Sequence, residues 1–170
     1  MLRFVEEGIA LVMIDYEGHG RSDGTLGLVM NWDELVNDVS TFFKETVDSQ
    51  FSDRKIFLMG ESMGGAVAFC VYKQMPELYA GVNFICPMAK IADDMLPAQW
   101  VIDTVRKVAG PKGEASIFGF LPIAPAKGDL REFSFRLACK RALLTRIPTV
   151  FGRKPRIATA RELIVSIYRC

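Results

Sequence analysis

Ser62 lies in the motif formed by residues 60–64, Gly-Glu-Ser-Met-Gly, a spacing that is typical of a serine nucleophile on a sharp turn between a strand and a helix. The serine in such a turn has a strained backbone, so side chains two positions before and after it would collide. Gly60 and Gly64 are therefore predicted to relieve this crowding, and Gly65 to let the helix approach the sheet closely. The alternative is an ordinary tight turn that contains a serine.

The sequence on either side of the motif favours the nucleophile over the ordinary turn. An apolar run at residues 55–59 is typical of a buried strand, and residues 66–75 form a helix-like stretch that stops at Pro76. A helix that starts here would direct its first amides, including the N–H of Met63, at the space above Ser62. Those unpaired donors and the positive end of the helix would suit the anionic intermediate of acyl transfer.

The elements around the motif predict a parallel α/β fold. Further apolar runs at residues 9–14 and 82–86 are expected to be strands, and residues 31–49 carry apolar side chains at helical spacing with Asn31 as the N-terminal cap. Alternation of strands and helices indicates a parallel sheet, whose site is expected at the carboxyl ends of the strands. Ser62 would lie at that edge.

Four stretches of the sequence resemble one known family: residues 15–24, 60–67, 85–95 and 154–163. In order and spacing they are similar to the α/β-hydrolase family of monoacylglycerol lipases, a group that includes serine-aminopeptidase-like hydrolases and plant caffeoylshikimate esterases. The resemblance implies an α/β-hydrolase fold, in which a parallel sheet core carries a helical cap, here apparently truncated at both ends. It also implies a serine ester hydrolase that acts on monoacylglycerol or related lysolipid and carboxylic esters through an acyl-serine intermediate, without a cofactor or metal.

The resemblance divides the chain into a partial core with the nucleophile, residues 1–87, and a cap region, residues 88–170. Helices are predicted within the cap at residues 93–109 and 157–168. The apolar loop between them contains three candidates for contact with the acyl chain or a membrane, although ordinary packing under the cap is the favoured interpretation: Phe118, Phe120 and Leu121.

Part of the hydrolytic machinery has no candidate in this chain. The family places the triad acid and histidine after the serine, on loops beyond the cap, but the only histidine, His19, precedes Ser62 in a glycine-flanked loop that the family uses structurally. The triad acid and histidine are therefore expected to be absent, as is the loop that supplies a second oxyanion donor. We expect a fragment of a longer hydrolase that is inactive by itself. A non-catalytic module that binds an acyl ligand or a protein, and an acyltransferase on the same scaffold, remain alternatives.

Composition limits the remaining classes. A chain of 170 residues that is 50% hydrophobic and 24% charged is long enough for one globular core, and it shows no secretory or membrane-spanning stretch. The cysteines show no paired spacing, and Cys70 and Cys86 are expected to be small buried residues. An intracellular location, either cytoplasmic or peripheral to a membrane, is the simplest interpretation.

Charge is divided unequally along the chain. Residues 1–126 carry 10 basic and 17 acidic side chains, whereas residues 127–170 carry 11 basic and 3 acidic ones. Few aromatic residues accompany the basic ones, so nucleic-acid binding is not expected. Attraction of the basic cap to an anionic lipid surface is one interpretation, and a solvated cap that complements the acidic core is the favoured one. The expected partner is a small acyl ester.

Overall fold

The computed structural model describes residues 2–89, 100, 103, 137–144, 146–147 and 156–166. From residue 32 to residue 85 helices and strands alternate, as the sequence predicts. The elements are α1 (Leu2–Glu6), α2 (Trp32–Gln50), β1 (Phe57–Glu61), α3 (Met63–Gln74), a 3-10 turn (Pro76–Leu78), β2 (Gly81–Ile85), α4 (Ala138–Leu144) and α5 (Ile157–Ser166).

Strands β1 and β2 form a parallel pair, which confirms the predicted arrangement. Phe57 lies opposite Gly81, and Glu61 lies opposite Ile85 at the carboxyl ends of the two strands. Helix α3 connects the strands and packs on one face of the sheet. The turn from β1 into α3 and the end of β2 therefore lie side by side at the same edge.

Helices α2 and α3 build the core with the face of β1 that carries Leu58. Val67 and Val71 of α3 are almost completely buried, with 1% and 0% of their surface exposed. The predicted cap of α2 is confirmed, because the side chain of Asn31 accepts hydrogen bonds from the N–H groups of Asp33 and Glu34. Both donors would otherwise have no partner in the first turn of the helix.

The segment of residues 9–14, predicted as a strand, is neither strand nor helix. Ile9 and Met13 are 49% and 63% exposed, so the apolar run is not buried as a strand interior would be. A strand requires a neighbour that accepts and donates its backbone hydrogen bonds. Among the described residues only β1 and β2 pair with each other, so this segment has no such neighbour there.

The predictions for the cap are tested only in part. The predicted helix at residues 157–168 is confirmed as α5, Ile157–Ser166, and its last two positions lie outside the described residues. Of residues 93–109 only Trp100 and Asp103 are described, and both are helical. Phe118, Phe120 and Leu121 lie outside the described residues, and the division at residue 87 stays a prediction. No helix in the described ranges is long and apolar enough to cross a membrane.

The predictions for the cysteines need correction. Cys70 is buried as expected, but it is disulfide-bonded, so it is not the free apolar residue that the sequence spacing indicated. Cys86 is exposed rather than buried, because it follows the last residue of β2, where the chain leaves the sheet. The expectation of an intracellular location depended in part on unpaired cysteines and loses that support.

Candidate active site

Ser62 occupies the junction between β1 and α3 in a conformation that few residues adopt. Its φ of 51° and ψ of −119° lie in a region that favours glycine and costs other residues about 1–3 kcal/mol. Cys86, at the end of β2, is the other residue of this kind in the described part of the chain, with a φ of 43°. The two strained residues therefore follow the ends of neighbouring strands, and strain of this sort is common at functional sites.

Backbone hydrogen bonds hold the strained serine in place. The N–H of Ser62 donates to the carbonyl of Ile85 at 3.1 Å, which ties the turn to the end of β2. Its carbonyl accepts from the N–H of Met88 at 2.9 Å and of Gly65 at 3.0 Å. The N–H of Ala66 also donates to this carbonyl, at 3.4 Å, and the four bonds, each contributing about 0.5–1.5 kcal/mol, offset the strain.

The glycines around Ser62 differ in how much they are needed. A Cβ atom on Gly60 would lie 2.2 Å from the carbonyl oxygen of Gly64, and one on Gly65 would lie 2.8 Å from the Pro87 side chain. Close approach at Gly60 and Gly65 is therefore confirmed. At Gly64 a Cβ would meet only the Tyr16 hydroxyl, at 3.6 Å, which is an ordinary contact. The steric role predicted for Gly64 is thus wrong, because the crowding falls on its carbonyl and not on its Cα.

The side chain of Ser62 and the first amides of α3 are available to a ligand. Ser62 is exposed, and its hydroxyl makes no capping hydrogen bond to the helix. No acceptor within the described ranges binds the N–H of Met63, the first residue of α3. Because the helix dipole also gives this end a partial positive charge, the arrangement suits an oxyanion beside Ser62.

The loop of residues 15–24 borders this edge. The carboxylate of Asp15 accepts from the N–H of Arg21, and Asp15's carbonyl accepts from the Ser22 hydroxyl, so both groups maintain the loop. A ring nitrogen of His19 lies 3.0 Å from the carbonyl oxygen of Glu17. The polar contacts of His19 within the described residues are thus local to its loop, and none of them reaches Ser62.

Tyr16 is a neighbour of the turn that sequence reasoning missed. Its hydroxyl would lie 3.6 Å from a Cβ placed on Gly64, and its ring packs on the core and lies edge-on to His19 at 6.1 Å. Burial raises the pKa of the Tyr16 hydroxyl above its ordinary value. Tyr16 lies within the stretch of residues 15–24 that resembles the family, but no periodicity or spacing indicated that it would face α3.

No group of three His, Cys, Asp or Glu side chains lies close enough to bind a metal ion in the described ranges. Among the described residues, the features that remain at the edge are an exposed, strained serine, an N–H of Met63 without an acceptor, and the backbone hydrogen bonds that hold the turn. This is the arrangement of a nucleophile elbow, which the α/β hydrolases use to present a catalytic serine.

Comparison with known proteins gives the same class. The sequence profile described as serine aminopeptidase, S33, matches residues 1–170. The chain therefore belongs to this family of α/β hydrolases. Its fold is similar to that of a monoacylglycerol lipase from Paleococcus ferrophilus, with a TM-score of 0.62 at 18% identity over 91% of this chain and 53% of that one. A soluble variant of the Saccharomyces cerevisiae monoglyceride lipase, solved with a substrate analog, gives 0.64 at 16% identity over 91% of this chain and 49% of that one.

Curated relatives support the same assignment. The chain is 30% identical to the caffeoylshikimate esterase of Arabidopsis thaliana over 165 residues, which are 96% of this chain and 48% of the relative. It is 35% identical to the monoglyceride lipase of Mus musculus over 74 residues, which are 44% of this chain and 24% of that protein. The chain thus spans about half the length of the plant esterase and of the two solved lipases.

Proposed function

We propose that the protein is a serine hydrolase that cleaves carboxylic esters, with monoacylglycerols or related lysolipids as the substrate class. The observation that carries the proposal is the state of Ser62: exposed, strained at a φ of 51°, and held by backbone bonds to Ile85 and Met88. A serine that only forms a turn has no reason to keep this conformation. The names of the relatives, esterases and monoglyceride lipases, support the choice of ester substrates.

In the proposed reaction the Ser62 Oγ attacks the carbonyl carbon of the ester. The carbonyl oxygen becomes an oxyanion and accepts a hydrogen bond from the N–H of Met63. When the intermediate collapses, the bond to the alcohol breaks, the alcohol leaves with a proton, and the acyl group stays on Ser62. Water then attacks this acyl-serine, releases the carboxylic acid and restores the hydroxyl.

The proton of the Ser62 hydroxyl must pass to a general base during the attack. His19 is the single histidine of the sequence, and its polar contacts with the described residues are within its own loop, so we assign it no catalytic role. Neither the triad acid nor the triad histidine is assigned to a residue here. We therefore propose that these 170 residues alone do not turn over esters, and that hydrolysis belongs to a protein of the relatives' length.

Replacement of the nucleophile tests the proposal directly. In a protein of full family length that contains this chain, Ser62→Ala should lower kcat for a monoacylglycerol by about 10⁶, the loss seen when a serine protease loses its nucleophile. Labelling by a fluorophosphonate, which reacts with activated serines, should map to Ser62 by mass spectrometry and disappear in the variant.

Ser49→Ala is the matched control, because the Ser49 hydroxyl is exposed and bonds only within α2. It should keep full activity and full labelling. Near-complete hydrolysis by Ser62→Ala would refute the assignment. Stoichiometric binding of a fatty acid without any turnover by the wild-type protein would instead support the non-catalytic module.

A further inference from the structure

The first two turns of α5 are joined to the loop before α2 by hydrogen bonds between residues far apart in sequence. The Thr159 hydroxyl accepts from the N–H of Val29 at 2.9 Å and donates to the carbonyl of Gly27 at 3.0 Å, across 130 and 132 positions. Just before α5, the Nε of Arg156 donates to the carbonyl of Leu26 at 2.8 Å. Each bond runs from a side chain to a backbone group, so it fixes the path of the loop.

Glu162 adds a bond at the start of α2. Its Oε2 accepts from the N–H of Trp32 at 3.1 Å, and its Oε1 pairs with Arg161 at 3.1 Å. Glu162 is only 8% exposed and Thr159 only 7%, so water competes little for these bonds. A carboxylate at this position also interacts favourably with the positive end of α2.

The loop held in this way extends to the candidate active site. The N–H of Gly27 donates to the carbonyl of Gly18 at 2.7 Å, and a Cβ on Gly18 would lie 2.6 Å from the carbonyl oxygen of Thr25. A backbone hydrogen bond and a close backbone approach therefore link Gly18 to residues 25 and 27 of the same loop. Two residues before Gly18, the Tyr16 hydroxyl is 3.6 Å from the position that a Cβ of Gly64 would occupy, beside the first turn of α3 and next to Ser62.

We propose that Thr159 and Glu162 are positioning residues, which hold the loop of residues 15–29 so that Tyr16 stays against the helix turn beside Ser62. α5 is thereby part of the support of the site, although it follows Ser62 by about a hundred residues. The inference rests on the proposed function only for the claim that the supported site is hydrolytic. The support itself is a property of the 170-residue chain and is testable in it.

Thr159→Val tests the support because valine keeps the shape of threonine but lacks its hydroxyl. Hydrogen exchange at the Val29 amide should become at least about tenfold faster, the factor that corresponds to about 1.4 kcal/mol. If the loop moves, the Tyr16 ring becomes more exposed and the pKa of its hydroxyl falls toward the ordinary value, which NMR of labelled tyrosine would detect. Thr159→Ser keeps a hydroxyl and should restore both readouts.

Thr46→Val is the matched control, since the Thr46 hydroxyl donates to the carbonyl of Phe42 within α2 and joins no separate segments. It should leave both the exchange rate of the Val29 amide and the pKa of the Tyr16 hydroxyl unchanged. Glu162→Gln provides a second variant that keeps an acceptor for the N–H of Trp32, so hydrogen exchange at that amide should stay slow. Glu162→Leu removes the acceptor, so exchange at the same amide should become faster. Glu162→Gln and Glu162→Leu therefore separate the hydrogen bond from the packing of the side chain.

The site readout is the rate at which a fluorophosphonate labels Ser62 in the protein of full family length, which should fall about tenfold in Thr159→Val. Faster exchange with an unchanged Tyr16 pKa and an unchanged labelling rate would overturn the proposal, because the bonds would then only stabilise α5. An unchanged rate of hydrogen exchange at the Val29 amide in Thr159→Val would also overturn the proposal. If wild type shows no labelling at all, the proposed function fails, whereas the exchange and Tyr16 titration still decide whether the residues position the loop.

Discussion

The two faces of the β1–β2 sheet differ sharply in what covers them. On one face Leu58 is 5% exposed and lies under α3, where Val67 and Val71 are almost fully buried. On the opposite face Phe57, Met59 and Ile85 are 67%, 49% and 42% exposed. Side chains alternate along a strand, so residues next to each other in sequence have entirely different surroundings.

This difference shows what the apolar composition of β1 specifies. A strand with apolar residues on both faces is typical of parallel sheets that carry helices on both sides. In the described part of the chain, only the α3 side has such a cover. Within the described elements, the burial of apolar side chains that stabilises the fold therefore comes from the α3 side of the sheet. The shape of the Ser62 turn depends on the same side.

The largest expected effect is at Gly60, where α3 comes closest to the strand. Gly60→Ala would place a Cβ 2.2 Å from a backbone carbonyl oxygen, and backbone cannot yield as a flexible side chain can. We expect the free energy of unfolding to fall by about 3 kcal/mol or more, measured by urea denaturation followed by circular dichroism.

Gly64→Ala is the control for Gly60→Ala in the same turn. Its Cβ would meet only the Tyr16 hydroxyl at 3.6 Å, and alanine is favoured over glycine within a helix by about 1 kcal/mol. The variant should therefore be as stable as wild type or slightly more stable. Equal destabilisation by the two alanines would show that α3 does not approach β1 as closely as the structure indicates.

The second prediction compares the two faces directly. Val71→Ala removes two methyl groups from a side chain with 0% exposure and should lower the free energy of unfolding by about 1–3 kcal/mol. Phe57→Ala removes a larger apolar group from the open face, and because that group is already in water the expected change is within about 0.5 kcal/mol. Urea denaturation of both variants measures the difference. A large loss in Phe57→Ala would mean that the open face is covered in solution.

The elements that sequence reasoning predicted correctly are those with local signals. Helix α2 has apolar residues at helical spacing and an asparagine cap, and α3 ends just before Pro76. The turn at Ser62 is encoded within a few residues, because the steric demand at Gly60 comes from a carbonyl four positions away.

Features that depend on distant partners were either predicted wrongly or not predicted at all. The run at residues 9–14 has the composition of a strand, but pairing depends on a neighbour, which composition does not reveal. The bonds from Thr159 to the loop before α2 join residues 130 and 132 positions apart, and no period in the sequence relates them. The position of the Tyr16 hydroxyl near Gly64 was missed for the same reason.

A smaller effect than that of Val71→Ala is expected for a polar group on the covered side. Tyr79 is 6% exposed, and among the described residues its hydroxyl has no hydrogen-bond partner, as is also true of the indole N–H of Trp32. Tyr79→Phe removes this unsatisfied group without changing the ring. We expect the free energy of unfolding at neutral pH to rise by about 1 kcal/mol, since a buried polar group without a partner costs about 1–3 kcal/mol.

The pH dependence of the same variant sharpens the test. Burial raises the pKa of Tyr79 to about 12 from its ordinary value of 10.0, so the folded protein retains this proton at a pH where the unfolded chain has lost it. Stability of the wild type is therefore unaffected by Tyr79 below about pH 10 and declines between about pH 10 and 12, a decline that Tyr79→Phe should lack. Urea midpoints at about pH 8 and pH 11 measure it, with Tyr72→Phe, at a half-buried tyrosine of α3, as the control. If Tyr79→Phe lowers the free energy of unfolding at pH 8, the Tyr79 hydroxyl must have a hydrogen-bond partner in solution. The covered side of the sheet would then admit water where the structure shows close packing.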